Sequence, residues 1–183
     1  MHIIETNIPG LLEIAPRVFG DHRGYFYESY NKEAFQNFGV NFEFVQDNQS
    51  LSSRGVLRGL HFQNPPFAQG KLVRVIQGSV LDVVVDIRKN SPTYGHHHKV
   101  LLSGENKLMF WIPPGFAHGF VTLEDDTIFS YKCTNVYNKE SEGSVLWNDP
   151  ALNIDWGIDK PQLSAKDEEA RPLAELETQF IYS

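Results

Sequence analysis

The chain is 183 residues long and 41% hydrophobic, enough for one sizeable core and the size of one ordinary domain, residues 1–183. A formal charge of −7, with no run of lysine or arginine to offset it, argues against nucleic acid as a partner but leaves room for a local cationic pocket. Cys133 is the only cysteine, no apolar run approaches the ~18 residues of a membrane span, and the N-terminus lacks a signal peptide's order, so the expected setting is the reducing cytoplasm.

Thirteen phenylalanines and seven tyrosines, with frequent valine and isoleucine, favour strands. Short apolar or alternating segments recur along the chain, broken by Gly, Pro, Asn and Asp. They run from Leu11–Ile14 and Tyr25–Tyr30 through Val56–Phe62, Leu72–Ile76, Val80–Ile87 and Lys99–Leu102 to Leu108–Ile112, Gly119–Leu123 and Thr127–Cys133. Within Val80–Arg88, Leu81, Val83, Val85 and Ile87 share one face, and Asp82, Val84, Asp86 and Arg88 share the other. Strands at this spacing predict an all-β antiparallel sandwich or barrel. Helix is sparse. Asn31–Phe38 has a capping asparagine at its start and Gly39 just past its end, and Ser164-Ala165-Lys166-Asp167 opens a second short helix running toward Pro172.

Chemistry concentrates at Val56-Leu57-Arg58-Gly59-Leu60-His61-Phe62-Gln63 and at Gly70-Lys71-Leu72-Val73-Arg74. A histidine in an apolar run, with Arg58 and Lys71 close in sequence, suits a base that takes a proton from carbon in a partly dry pocket. Arg58 and His61 differ by an odd number, which in a regular strand sends them to opposite faces. Either Gly59 bends the strand or the arginine serves a different part of the ligand. Taken singly, Lys71 reads as a solvated strand-end lysine, Tyr131 as a core tyrosine beside Phe129 and Cys133, and Asp167 as a helix-start carboxylate.

His96-His97-His98 looks like a metal site, but neighbours on a strand alternate faces, and at best His96 and His98 supply two ligands. Pro113 through His118 resembles the second cupin signature, P-x-G-x-x-H. The first cupin signature requires a His-x-His that here is His61-Phe62-Gln63, so the chain reads as cupin-like in fold and metal-free in mechanism.

Further motifs fall in one order along nearly the whole chain. They are Val18 through Glu28, Phe44-Val45-Gln46-Asp47-Asn48, the two site motifs above, Val85-Asp86-Ile87-Arg88, Trp111 to Phe120, Tyr131-Lys132, Leu146-Trp147-Asn148-Asp149 and Leu163 to Asp167. Together they resemble the dTDP-4-dehydrorhamnose 3,5-epimerase family. Two departures stand out: Gly157 follows Trp156 where many relatives carry proline, and the triple histidine is not a family feature.

The resemblance implies a cupin-like jelly roll with a few short helices. It implies a cofactor-free isomerase that inverts C3 and C5 of a dTDP-4-keto-6-deoxysugar in dTDP-rhamnose synthesis. His61 would be the general base, Asp167 its orienting carboxylate, Lys71 the cation for the enolate oxygen, and Tyr131 the acid on the opposite face. Arg23, Glu28, Gln46, Asp47, Asn48, Arg58, His118, Glu142 and Lys166 would hold the nucleotide end. A homodimer is expected, in which the Arg23–Glu28 segment reaches the neighbouring pocket. Alternatives are an epimerase acting at C3 or C5 alone, and an inert sugar-nucleotide or metal-binding cupin.

Overall fold

A computed structural model describes residues 1–182. Two antiparallel sheets face each other in a cupin-like jelly roll. One sheet has the order β1-β2-β10-β7-β12-β5, from His2–Glu5, Leu12–Ala15, Met109–Ile112, Lys71–Gln77, Thr127–Cys133 and Gln46–Ser52. The other has the order β13-β6-β11-β8-β9, from Glu142–Ser144, Leu57–Gln63, Phe116–Thr122, Ser79–Asp86 and His97–Ser103. A separate hairpin pairs β3, Phe19–Asp21, with β4, Gly24–Phe26.

The apolar residues sort into three layers. Val73, Val75, Val84, Phe110, Phe116, Phe120 and Phe129 fill the space between the sheets. The outer face of the six-stranded sheet presents Ile14, Leu72, Met109 and Trp111, covered by Phe35 and Val40. The outer face of the five-stranded sheet presents Leu57, Leu60, Phe62, Val83 and Val85, covered by Leu152, Trp156 and other residues of the C-terminal segment. With both faces of β8 buried, the face of Asp82 and Val84 turns inward rather than to water.

Helix α1, Lys32–Asn37, is capped as the sequence predicts. The Asn31 side chain accepts from the Ala34 N–H, and Gly39 takes a φ of +81° just past the end. The second helix, α2, is shorter than expected: it covers only Ala165–Glu168 and stops before Pro172. The structure also holds strands that the apolar pattern passes over. β5 reads Gln-Asp-Asn-Gln-Ser-Leu-Ser, and β1, β3 and β13 are short and largely exposed or half-buried. Among the described residues no helix is long and apolar enough to cross a membrane.

Candidate active site

One strand irregularity assembles the site. Between β11 and β6, His118 pairs with His61 and Phe120 with Arg58, so three steps on β6 match two on β11. That extra residue is a β-bulge, and it turns Arg58 and His61 toward the same cavity. Gly59 makes the bulge possible. Its φ is +140°, and a Cβ there would sit 2.4 Å from the Gly119 Cα. Of the two readings open in the sequence, the bend at Gly59 is the one adopted.

The cavity has a volume of about 240 Å³ and is walled by both sheets. From the five-stranded sheet come Arg58, His61, His118 and Phe120; from the six-stranded sheet come Gln49, Ser50, Lys71, Phe129 and Tyr131. Ser164 and Asp167, from the start of α2, close it beside His61.

His61 Nε2–H donates to Asp167 Oδ1 at 2.5 Å, and Ser164 Oγ–H donates to Asp167 Oδ2 at 2.8 Å. Ser164 is also the N-cap of α2, accepting from the Asp167 N–H, so the helix start and the histidine's partner are one construction. Burial works to raise the Asp167 pKa, yet the bonds from His61 and Ser164 and the charges of His61 and Lys166 hold its carboxyl below the usual range.

Lys71 is not the solvated lysine its position suggested. Its ammonium meets no protein acceptor among the described residues, and burial lowers its pKa against the opposing charges of Cys133, Asp82 and Glu142. Burial likewise raises the Tyr131 phenol above its ordinary value, keeping it protonated. Tyr131 is braced by Phe129, whose ring centroid lies 5.9 Å away.

The remaining sequence-predicted residues divide. Arg58 donates to Ser52 Oγ at 3.2 Å, and His118, in register with His61, lines the same cavity. Gln46 and Asn48 point inward on β5, in register with Cys133 and Tyr131, and Asn48 donates to Cys133 Sγ. Glu142 and Lys166 form an ion pair with each other, and Tyr137 OH donates to Glu142 at 3.2 Å.

Three residues lie apart from this cavity. Asp47 faces the other side of β5 and pairs with Lys132 at 3.0 Å, Arg23 sits exposed in the β3–β4 hairpin against Asp21, and Glu28 accepts from Asn31. The triple histidine does not converge either. His98 Nε2 meets Glu13 Oε1 at 2.8 Å and bridges the two sheets, while His97, one residue along β9, faces the other side of the strand.

Sequence reasoning missed Ser164, whose signal was the Ser-x-x-Asp box itself, and Asp82. Asp82 is fully buried and accepts from His118 Nε2–H at 2.9 Å. It was legible only as one member of an alternating strand face.

The family model described as dTDP-4-dehydrorhamnose 3,5-epimerase matches residues 5–175 of the chain. A dTDP-4-dehydrorhamnose 3,5-epimerase from Salmonella typhimurium is 57% identical over 175 residues, covering 94% of this chain and 95% of that protein. The structure of a dTDP-6-deoxy-D-glucose-3,5-epimerase from Legionella pneumophila, in complex with dTDP-4-keto-L-rhamnose, superposes with a TM-score of 0.95 at 49% identity, covering 100% of this chain and 98% of that one. A 3′-monoepimerase from Streptomyces bikiniensis, solved with dTDP as a His-to-Asn, Tyr-to-Phe double mutant, superposes at 0.89 with 36% identity, covering 95% of this chain and 87% of that one. The two positions replaced in that relative stand as far apart in sequence as His61 and Tyr131. With the family model spanning nearly its whole length and relatives above half identity, this chain belongs to the dTDP-4-dehydrorhamnose 3,5-epimerase family.

Proposed function

We propose that the chain epimerises dTDP-4-dehydro-6-deoxy-D-glucose at C3 and C5 to dTDP-4-dehydro-L-rhamnose, as one catalytic domain in the cytoplasm and without a cofactor. The observation that carries this reading is that His61, on one sheet with Asp167 of α2 bonded to it, lies across one cavity from Tyr131 and Lys71 on the other. A sugar ring held between the sheets meets a base on one side and an acid on the other.

The hydrogens at C3 and C5 are both α to the C4 ketone. With its Nε2–H given to Asp167 and no partner at Nδ1 among the described residues, His61 can take each proton in turn at Nδ1, and the carboxylate supports the imidazolium that results. Electron density moves to the C4 oxygen, where the unpartnered Lys71 ammonium stabilises the enolate. One well-placed donor of this kind is worth roughly 3–4 kcal/mol. Tyr131, held protonated by its burial, returns a proton from the opposite side and inverts the centre.

A cavity of about 240 Å³ is smaller than the roughly 300–1,000 Å³ of sites that enclose a whole drug-sized ligand. It suits the hexose, and the nucleotide extends outside it. Arg58 and His118 line it, Asn48 and Gln46 stand next to its wall in register with Tyr131 and Cys133, and the Glu142–Lys166 pair acts on the charge of Lys71, with Arg58 and Lys166 as candidate diphosphate cations.

Arg23, Glu28 and Asp47 complete the nucleotide site in a homodimer. The supporting observation is the β3–β4 hairpin, which carries Arg23 together with exposed Phe19, Tyr25 and Phe26 and suits an arm that docks on a second copy. The relatives include a 3′-monoepimerase on the same fold, so one-centre inversion is the competing outcome.

The test is incubation with the ketosugar nucleotide in D₂O without added metal, reading label at each carbon. Label at both C3 and C5 with the rhamno product is expected. Label at one carbon assigns a single-centre epimerase, and binding with no label at all removes the enzyme reading.

A further inference from the structure

Asp82 is an anomaly in the fold. It lies on β8 in the row that runs from Arg58 through Phe120 to Val100, facing the apolar space between the sheets. It is 0% exposed. One carboxylate oxygen accepts from His118 Nε2–H, and the other, Oδ1, has no hydrogen-bond partner among the described residues. Leaving a buried carboxylate half-satisfied is costly, and packing alone would favour an aliphatic side chain there. The two groups nearest in function are the two that the cavity leaves free. His118 lines the cavity with its Nδ1 unpartnered among the described residues, and Lys71 lines it with an unpartnered ammonium that feels the Asp82 charge.

We propose that Asp82 is a positioning residue of the epimerisation: it fixes His118 with its proton on Nε2, leaving Nδ1 as an acceptor for a sugar hydroxyl, and it is the fixed counter-charge to the Lys71 ammonium. The inference rests on the reading of Lys71 and His61 given above. Its logic is one of charge. When His61 accepts a proton from carbon, an imidazolium appears across the cavity from Lys71 and next to His118, its register partner. A second cation at His118 would oppose that step, and burial together with the charges of Lys71 and His61 keeps His118 neutral against the pull of Asp82. Two carboxylates, Asp167 and Asp82, then face two working cations. The charged and titratable groups around Lys71 are Cys133 and Tyr131 on its neighbouring strand β12, Asp82 on β8, Glu142 on β13, Lys166 and Asp167 on α2, and Arg58, His61 and His118 across the cavity.

Two variants separate charge from hydrogen bond. Asp82→Asn keeps an oxygen to accept from His118 but removes the charge; Asp82→Leu removes both. Proton exchange at C3 and C5 is followed against pH, and the His118 tautomer is read by ¹⁵N NMR in the free, unmodified protein. The expected result is an Nε2–H tautomer in the unmodified protein. Asp82→Asn should then lower exchange about tenfold or more while preserving the tautomer. Its alkaline limb should move to lower pH, because Lys71 has lost a charge that favours its protonated form. Asp82→Leu should also lose the tautomer. Asp82→Asn with an unchanged rate and pH profile overturns the proposal, and so does a His118 found with its proton on Nδ1, a result that needs no variant to fold. Absence of exchange in the unmodified protein would instead remove the enzyme reading itself.

Discussion

At the scale of single residues, the site divides its labour between two sheets, and that division makes the roles separable. His61→Asn should abolish label uptake at both C3 and C5 while leaving the melting temperature close to that of the parent, because the partly buried ring lines the cavity and belongs to none of the apolar layers. Tyr131→Phe should behave differently: protons leave, deuterium enters, and the sugar returns largely without inversion. Normal epimerisation by Tyr131→Phe would remove Tyr131 as the acid. The pH dependence follows from Lys71. In the proposed mechanism its working form is the ammonium, and burial lowers its pKa, so that form is present at low pH and is lost as pH rises through the lowered value. Exchange should therefore fall on the alkaline side at a pH below the ordinary lysine range near 10.4. Lys71→Arg keeps a charge that does not titrate there, so whatever activity it retains should lack that limb. An alkaline limb unchanged in Lys71→Arg would assign it to another group.

At the scale of elements, the β6 bulge decides whether Arg58 and His61 work together. Gly59→Ala puts a Cβ against the Gly119 backbone at a φ that L side chains rarely adopt. We expect a loss of about 2–4 kcal/mol in stability, read by urea unfolding, and a larger loss of exchange than stability alone explains, because the two side chains separate. Full activity in a folded Gly59→Ala protein would show that the bulge does not set the site. The same element marks the boundary of what the sequence reveals. Apolar periodicity was enough for β7, β8, β10 and β12, whose residues alternate into buried layers. It passed over β5, because a strand that edges a polar cavity has no apolar face to display. The parity of Arg58 and His61 was readable as a conflict, and only the register with β11 resolves it. Asp82 was visible as an aspartate on a strand face, but which face turns inward depends on the covering layer from the C-terminal segment, whose contacts are distant in sequence.

At the scale of the whole molecule, the sugar cavity is built by one chain, whereas three of the expected nucleotide residues lie away from it. Arg23 is exposed on a hairpin that buries none of its strand residues, and the cavity is too small for a nucleotide. If the hairpin of one copy completes the pocket of another, the two halves of the site sit on different chains and can be damaged separately. Take Arg23→Ala and His61→Ala, each nearly inactive as a homodimer, and co-express them. In a mixed dimer, the pocket on the Arg23→Ala subunit keeps its own His61 and receives an intact Arg23 from its partner. The other pocket has neither. Random pairing makes half of the dimers mixed, each with one complete site, so activity should recover to about a quarter of the parent's. A pocket served by its own hairpin behaves otherwise, because each mixed dimer then carries one defect in each site and co-expression recovers nothing. With both parent variants nearly inactive, recovery near a quarter, against none, thus decides whether Arg23 acts within its own chain or across the interface.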